Sequence, residues 1–268
     1  MTAILFLPTV ELMIVGALCG IVGVFAVLKG RVFFTESITH ATFPGAILGV
    51  VIAGRNGLFL GALLMCVGMS WLMRRLTRLS TQTAQASAGV VLTVGFALGY
   101  FLNKWFAPLP IRIEGFLAGS VLSVRLIDVI VSAVVLVVVV GIINSFHTSL
   151  MLYCFDEPGF VAAGGKQHRA EALILGMIVA TVVCVIPAIG TILSIALIAA
   201  PAAGLKTVVA SPRQLVVAAP VAGVVISLAG LFIAVYFKLS VGGTIAIVAG
   251  VFYCLCMSLS CLKSPRTT

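Results

Sequence analysis

Long apolar runs separated by short polar, Gly- or Pro-containing breaks dominate the chain. They fall near 9–28, 33–54, 57–73, 87–103, 125–144, 171–189, 191–206, 214–237 and 241–262. Each is close to the ~20 apolar residues that a helix needs to cross a bilayer. None alternates over about ten residues in the way of outer-membrane barrel strands. An open sheet in lipid would leave its backbone groups unpaired. The pattern predicts an all-α, polytopic membrane helical bundle of about 8–9 transmembrane helices, forming one domain over residues 1–268. The segment 105–124 is too interrupted to cross alone and is expected to be interfacial or re-entrant.

Composition strengthens this reading. The chain is 62% hydrophobic and 9% charged, with a mean hydropathy of +1.30, whereas soluble domains carry about 25% charged residues. The net charge of +9 raises the possibility of nucleic acid, but the basic residues stand singly between apolar runs and form no patch. They report topology instead. With the N-terminus outside, Lys29, Arg31, Arg74, Arg75, Arg78, Lys166, Arg169, Lys206, Arg213, Lys263 and Arg266 face the cytoplasm. Arg55, Lys104, Arg112, Arg125 and Lys238 remain outside, so the positive-inside rule selects this orientation. The seven cysteines show no CxxC spacing and read as small buried hydrophobes. No basic n-region precedes the first apolar run, so no cleavable signal peptide is expected.

The longest polar connection is 145–170, which this orientation puts in the cytoplasm. A short helix between Glu157 and Gly164 is expected there, with Pro158 in its first turn. The stretch 159-GFVAAGGKQ-167 imitates a phosphate-binding loop. An extra glycine displaces the lysine, Gln167 stands where a magnesium-binding hydroxyl belongs, and no strand precedes it. The chain is therefore expected to hydrolyse no ATP itself, and it is not read as an enzyme.

The chemistry concentrates in 34-FTESITHATFPGAIL-48. A charge at mid-membrane costs roughly 2.5–3.5 kcal/mol on insertion scales, so such residues face an interior or an aqueous path. Glu36 and His40, at i and i+4, share one helix face about 6 Å apart along the axis. Counted from Arg31, they lie ~7–8 Å and ~13–14 Å into the bilayer. Thr35, Ser37, Thr39 and Thr42 surround them with hydroxyls. Pro44 removes a backbone donor and frees a carbonyl near residue 40, and irregular backbone is tolerated at this depth where it lines a cavity. A carboxylate and an imidazole suit Mn²⁺, Fe²⁺ or Zn²⁺ better than Mg²⁺ or Ca²⁺. Two ligands are too few for a closed site, whereas a second copy at a two-fold axis supplies four. Two alternatives stay open. The pair could hydrogen-bond to each other for helix packing, or it could relay protons in a proton-coupled secondary metal transporter. Glu11, Glu114 and Asp128, nearer the predicted ends, read as interfacial, and His147 and His168 as solvated.

The stretch 36-ESITHATFPGAILG-49 resembles the D-x-x-S-H-A-x-x-P-G signature of the bacterial zinc/manganese/iron permeases of ATP-binding-cassette (ABC) importers. Four further segments are similar to that family, in its order: 86-ASAGVVLTVGFALGYFL-102, 115-GFLAGSVLSVRLID-128, 155-FDEPGFVAAGG-165 and 190-GTILSIALIAAPAAGLK-206. The resemblance implies a type II ABC importer-like permease, multi-pass in the bacterial cytoplasmic membrane. It pairs with a second permease copy or paralogue and holds no permanent cofactor. An extracytoplasmic metal-binding lipoprotein would deliver Mn²⁺, or Zn²⁺ or Fe²⁺, and ATP would bind to separate cytoplasmic ATPase subunits. Manganese is favoured over zinc or iron.

By position, Glu36 and His40 match the family's metal ligands, with Thr39, Pro44 and Gly45 supporting them. Phe155, Asp156, Glu157 and Gly164 match the segment that couples to the ATPase. Three departures stand out. Glu36 replaces the usual aspartate, Thr39 replaces the serine, and the order Asp156-Glu157-Pro158 replaces D-P-E.

Overall fold

The computed structural model describes residues 2–54, 57–79, 84–108, 119, 121 and 124–263. Ten α-helices make up the elements among them: α1 (Thr2–Leu28), α2 (Val32–Ala53), α3 (Gly57–Leu79), α4 (Ala84–Trp105), α5 (Leu126–Phe155), α6 (Glu157–Ala162), α7 (Gln167–Ile189), α8 (Thr191–Val208), α9 (Pro212–Phe237) and α10 (Val241–Lys263). Eight are long and apolar enough to cross a membrane, and Ser194–Val208 within α8 is a shorter apolar helix. The span expected at 191–206 is that shorter helix. It starts directly after Gly190, whose φ of +80° and ψ of 173° end α7 and open α8 in a single residue. A side chain rarely adopts such a φ, which accounts for glycine at this corner.

Helix α1 is central and packs on α5, α7, α8 and α9, with Leu12, Val15, Leu18, Val22 and Phe25 fully buried. Its crossing with α9 is close enough for backbones to touch. A Cβ on Gly16 would lie 2.6 Å from the Gly223 carbonyl oxygen, and one on Gly20 would lie 2.3 Å from that of Ala219. Lipid tails are as apolar as side chains, so membrane helices associate through such small-residue packing rather than through hydrophobic exclusion. A second seam of this kind joins α2 to α3, where Gly45 meets Gly61 and Gly49 meets Gly57. Helix α2 also packs on α4, α7 and α8. Peripheral α5 and α10 turn Val134, Val137, Val138, Ile247, Val251 and Leu255 outward.

Three boundaries differ from the sequence expectation. Helix α1 starts at Thr2 and contains Pro8, so Glu11 lies inside the helix and not at a membrane edge. Helix α5 runs 30 residues, with non-helical angles at Phe146. At 1.5 Å per residue that is about 45 Å, longer than a hydrocarbon core of ~30 Å. The connection expected at 145–170 is therefore mostly helix: the end of α5, all of α6 and the start of α7. Ser145, Thr148 and Ser149 are polar but helix-compatible, which is why hydropathy placed the helix end too early. The expected interfacial segment at 105–124 falls largely outside the described residues, as does Glu114.

Candidate functional site

Between Phe34 and Val50, fourteen positions of α2 are buried, and Glu36, His40 and Leu48 are the ones that are not. The i, i+4 spacing sets Glu36 and His40 about 40° apart around the axis. They form one partly open stripe on a stretch, 34–50, that is otherwise mostly enclosed. The His40 ring stands edge-on to Phe96 of α4, with centroids 5.6 Å apart and planes at 87°. Its Nδ1 is buried without a hydrogen-bond partner, and no hydrogen bond or ion pair among the described residues engages the Glu36 carboxylate. A pair kept only for helix packing would be bonded to something. Here neither the imidazole Nδ1 nor the carboxylate is tied to another group among the described residues. Among the described residues no three His, Cys, Asp or Glu side chains converge.

The surrounding hydroxyls do not join this stripe. Thr35 donates to the Arg31 carbonyl (3.0 Å), Thr39 to that of Thr35 (2.8 Å) and Thr42 to that of Thr39. Ser37 donates to the Phe33 carbonyl (2.9 Å) and to the Ala88 carbonyl of α4 (2.8 Å). Thr39 is thus turned into the packed core, about 100° away from His40 around the helix, and supports the helix rather than the ligands. Pro44 does not open the backbone as expected, because α2 is continuous through it. Neighbouring helices hold such a proline in place within the membrane, and the missing N–H still leaves the His40 carbonyl without its usual helical donor. Gly45 serves the α3 seam: a Cβ there would lie 2.4 Å from the Gly61 carbonyl oxygen. It fixes α2 against α3, so its effect on the stripe is indirect.

The segment expected to couple to an ATPase contains a short helix, Glu157–Ala162. The Asp156 carboxylate caps α6 by accepting from the Gly159 amide (2.9 Å). The Asp156-Glu157-Pro158 order is thus compatible with a capped first turn. Phe155, Asp156 and Gly164 are exposed, and Gly164 has a φ of +82°. Glu157 behaves otherwise: it turns back into the protein and accepts from Lys29 Nζ at 2.6 Å, with Gln167 bonded to its other oxygen. Lys29, Arg31, Arg74, Glu157 and Glu171 gather at one end of the bundle, the end that the count of basic residues assigns to the cytoplasm.

Two features escaped the sequence reading. Glu11 is fully buried and accepts from Ser132 Oγ of α5 at 2.7 Å, and its Oε2 has no partner. Its position within an uninterrupted apolar run was the available signal. The ion pairs around Lys29 and Arg31 were signalled only by two bases flanking a glycine at a helix corner. Asp128, read as interfacial, sits in the first turn of α5 and bonds back to the Arg125 amide (2.9 Å) in a capping box. His147 lies half-buried on α5, and His168 is exposed at the start of α7.

This chain resembles proteins of known type over most of its length. A manganese transport system membrane protein of Halalkalibacterium halodurans is 25% identical over 247 residues, covering 92% of this chain and 84% of that protein. A zinc transport system membrane protein of Treponema pallidum is 30% identical over 237 residues, covering 85% and 80%. The structure of PsaBC from Streptococcus pneumoniae in complex with Fab has the same fold. It gives a TM-score of 0.87 at 24% identity and covers 95% of this chain and 91% of that one. Residues 1–260 match the ABC 3 transport family. An all-helical bundle with eight membrane-length helices and this match along its length make the chain a member of that family, the integral membrane permease subunits of ABC metal importers.

Proposed function

We propose that the chain is the permease of an ATP-driven importer of divalent transition metals in a bacterial cytoplasmic membrane, with manganese as the favoured cargo. The observation that carries the proposal is the partly open stripe of Glu36 and His40 on the otherwise mostly enclosed stretch 34–50 of α2. A carboxylate and an imidazole turned toward lipid would be costly. A second permease laid over the stripe removes that cost and doubles the ligand set to two carboxylates and two imidazoles. The centre then suits a borderline divalent ion.

Manganese or iron is favoured over zinc by the hardness of the carboxylates, while zinc binds more tightly to almost any nitrogen-containing site. The relatives include proteins named for manganese and for zinc transport. A binding lipoprotein on the outer face would hand the ion to the paired stripes. Cytoplasmic ATPase subunits would dock against α6, where Phe155 and Asp156 are exposed, and Gly164 would let the chain turn away beyond it. The single domain spanning 1–268 then performs one task, alternating access to a site near mid-membrane.

Radiolabelled Mn²⁺ uptake into cells or vesicles carrying the complete importer tests the reading. ATP-dependent uptake that Zn²⁺ and Fe²⁺ compete for is the expected result. Uptake that persists without the ATPase subunits and collapses with an uncoupler would instead establish proton coupling.

A further inference from the structure

We infer that the Lys29–Glu157 and Arg31–Glu171–Arg74 ion pairs are the mechanical tie through which movement of α6 reaches the Glu36/His40 stripe, an inference that rests on the permease reading above. Helices α1 and α2 meet at the corner Lys29-Gly30-Arg31, and both of its charged residues reach across the bundle. Lys29 Nζ bonds Glu157 Oε2 at 2.6 Å and the Tyr153 carbonyl at 3.2 Å. It also lies 3.8 Å from the centroid of the Tyr153 ring. One ammonium thus clasps the end of α5 and the start of α6 together. Arg31 pairs with Glu171 of α7 at 2.9 Å, and Arg74 of α3 reaches the other oxygen of that carboxylate at 3.5 Å.

Each pair has one largely covered partner: the Lys29 side chain is 13% exposed against 40% for Glu157, and Glu171 is 19% exposed. An ion pair with added hydrogen bonds and an aromatic face is held in one geometry, unlike an isolated surface pair. Removing Glu157 would leave the covered Lys29 ammonium without its counter-charge.

The tie ends close to the site. Arg31 is the residue before α2, and Glu36 follows it by about 7–8 Å of helix rise. A cavity of about 280 Å³, lined by Lys29, Arg31, Phe33, Gln85, Glu157 and Glu171, lies beside the same corner. Phe33 stands one turn before Glu36, so there is room below the stripe for the corner to shift. The rest of α6 is anchored by apolar contact, with Phe160 against Tyr153 at 5.6 Å. A push on Phe155 or Asp156 from a partner therefore moves α6 and the end of α5 as a unit. The ion pairs then pass that motion to the first turn of α2. Coupling between distant sites requires such a physical element with two arrangements. On this account Glu157 is a positioning residue inside the permease, and the ATPase meets the opposite face of α6.

The test uses the complete importer in proteoliposomes, with ATP hydrolysis and ⁵⁴Mn²⁺ uptake measured together. In Lys29→Met and Glu171→Gln, hydrolysis is expected to stay near wild type while uptake per ATP falls about tenfold. Lys29→Arg keeps a cation for Glu157, the Tyr153 carbonyl and the Tyr153 ring, and is expected to retain most of the uptake per ATP that Lys29→Met loses. Wild-type uptake per ATP in both Lys29→Met and Glu171→Gln overturns the inference. So does a parallel loss of hydrolysis and of ATPase co-purification in Glu157→Gln, which would make Glu157 a docking contact. So does a Lys29→Arg variant that falls to the level of Lys29→Met. If the wild-type complex takes up metal without ATP, the permease reading fails first and the tie falls with it.

Discussion

Two of the carboxylates carried by membrane-length helices, Glu11 and Glu36, have contrasting surroundings. Glu11 of α1 is fully buried at the centre of the bundle, bonded to Ser132 and closed in by neighbouring helices. Glu36 of α2 is half-exposed and unbonded, with His40 one turn beyond it. Both break the rule against charge in oil, so a polar residue in an apolar run does not by itself identify a site. What separates the two is that the face of α1 around Glu11 is covered by neighbouring helices, whereas Glu36 and His40 share a partly uncovered face of α2. Glu11 is held by a hydroxyl from another helix, while Glu36 has no such bond among the described residues.

The comparison is sharpest if the stripe can be disabled without harming the fold. His40→Ala and Glu36→Gln are expected to reduce metal uptake by about 100-fold or more, since loss of even an outer-shell partner costs 10–100-fold in metal affinity. Expression and thermal unfolding in detergent should change little, because neither side chain makes a hydrogen bond that supports the bundle. If unfolding shifts as much as uptake does, the pair is structural and the contrast with Glu11 collapses.

The converse variant attacks α1. Gly20→Ala places a methyl 2.3 Å from the Ala219 carbonyl oxygen, where backbone rather than a pliable side chain must give way. Overpacking of this kind costs about 1–3 kcal/mol. A lower unfolding temperature and a lower yield are expected, while the remaining folded protein keeps its metal preference. A change in cargo selectivity without loss of stability would mean that α1 is part of the site after all.

Much of this division was legible in the sequence, and its gaps have physical causes. The spans are visible because a bilayer demands long apolar runs. The stripe is visible because i, i+4 spacing puts Glu36 and His40 on one helix face. The setting of Glu11 was hidden because the first apolar run was placed near 9–28, which put Glu11 close to its end, whereas α1 begins at Thr2. Thr39 and Gly45 looked like site residues because they sit beside the ligands in sequence. Their faces are set by contacts with α2's own backbone and with α3. The inward turn of Glu157 depends on Lys29, more than a hundred positions earlier in the chain, and no local pattern carries that information. Local motifs singled out segments of the chain, while long-range pairing decided which way their side chains point.

Glu36→Asp tests how finely the open stripe is tuned. Shortening the side chain by one methylene restores the aspartate of the resembled signature and moves the carboxylate relative to His40. The site keeps its charge, so uptake should survive, with the ratio of Mn²⁺ to Zn²⁺ uptake changing by about 3- to 10-fold, the scale of roughly 1 kcal/mol of differential ligand binding. Competition between the two ions in the uptake assay measures that ratio. An unchanged ratio would mean that carboxylate reach does not set the preference.

The smallest effect is expected at Glu11. Glu11→Gln keeps the side-chain shape and the carbonyl oxygen that accepts from Ser132, and it removes a charge whose second oxygen has no partner. A neutral acceptor serves the buried hydroxyl about as well, and a charge in a low-dielectric interior is costly without full pairing. Stability should therefore stay within about 1 kcal/mol of wild type, and uptake and ion preference should not move. Glu11→Ala differs: it leaves a cavity and deprives Ser132 of its acceptor, so about 2–3 kcal/mol is expected to be lost. Thermal unfolding of the two variants side by side separates shape and hydrogen bonding from charge. If Glu11→Gln instead abolishes uptake while folding normally, the charge at Glu11 serves transport, and the membrane region holds two working carboxylates rather than one.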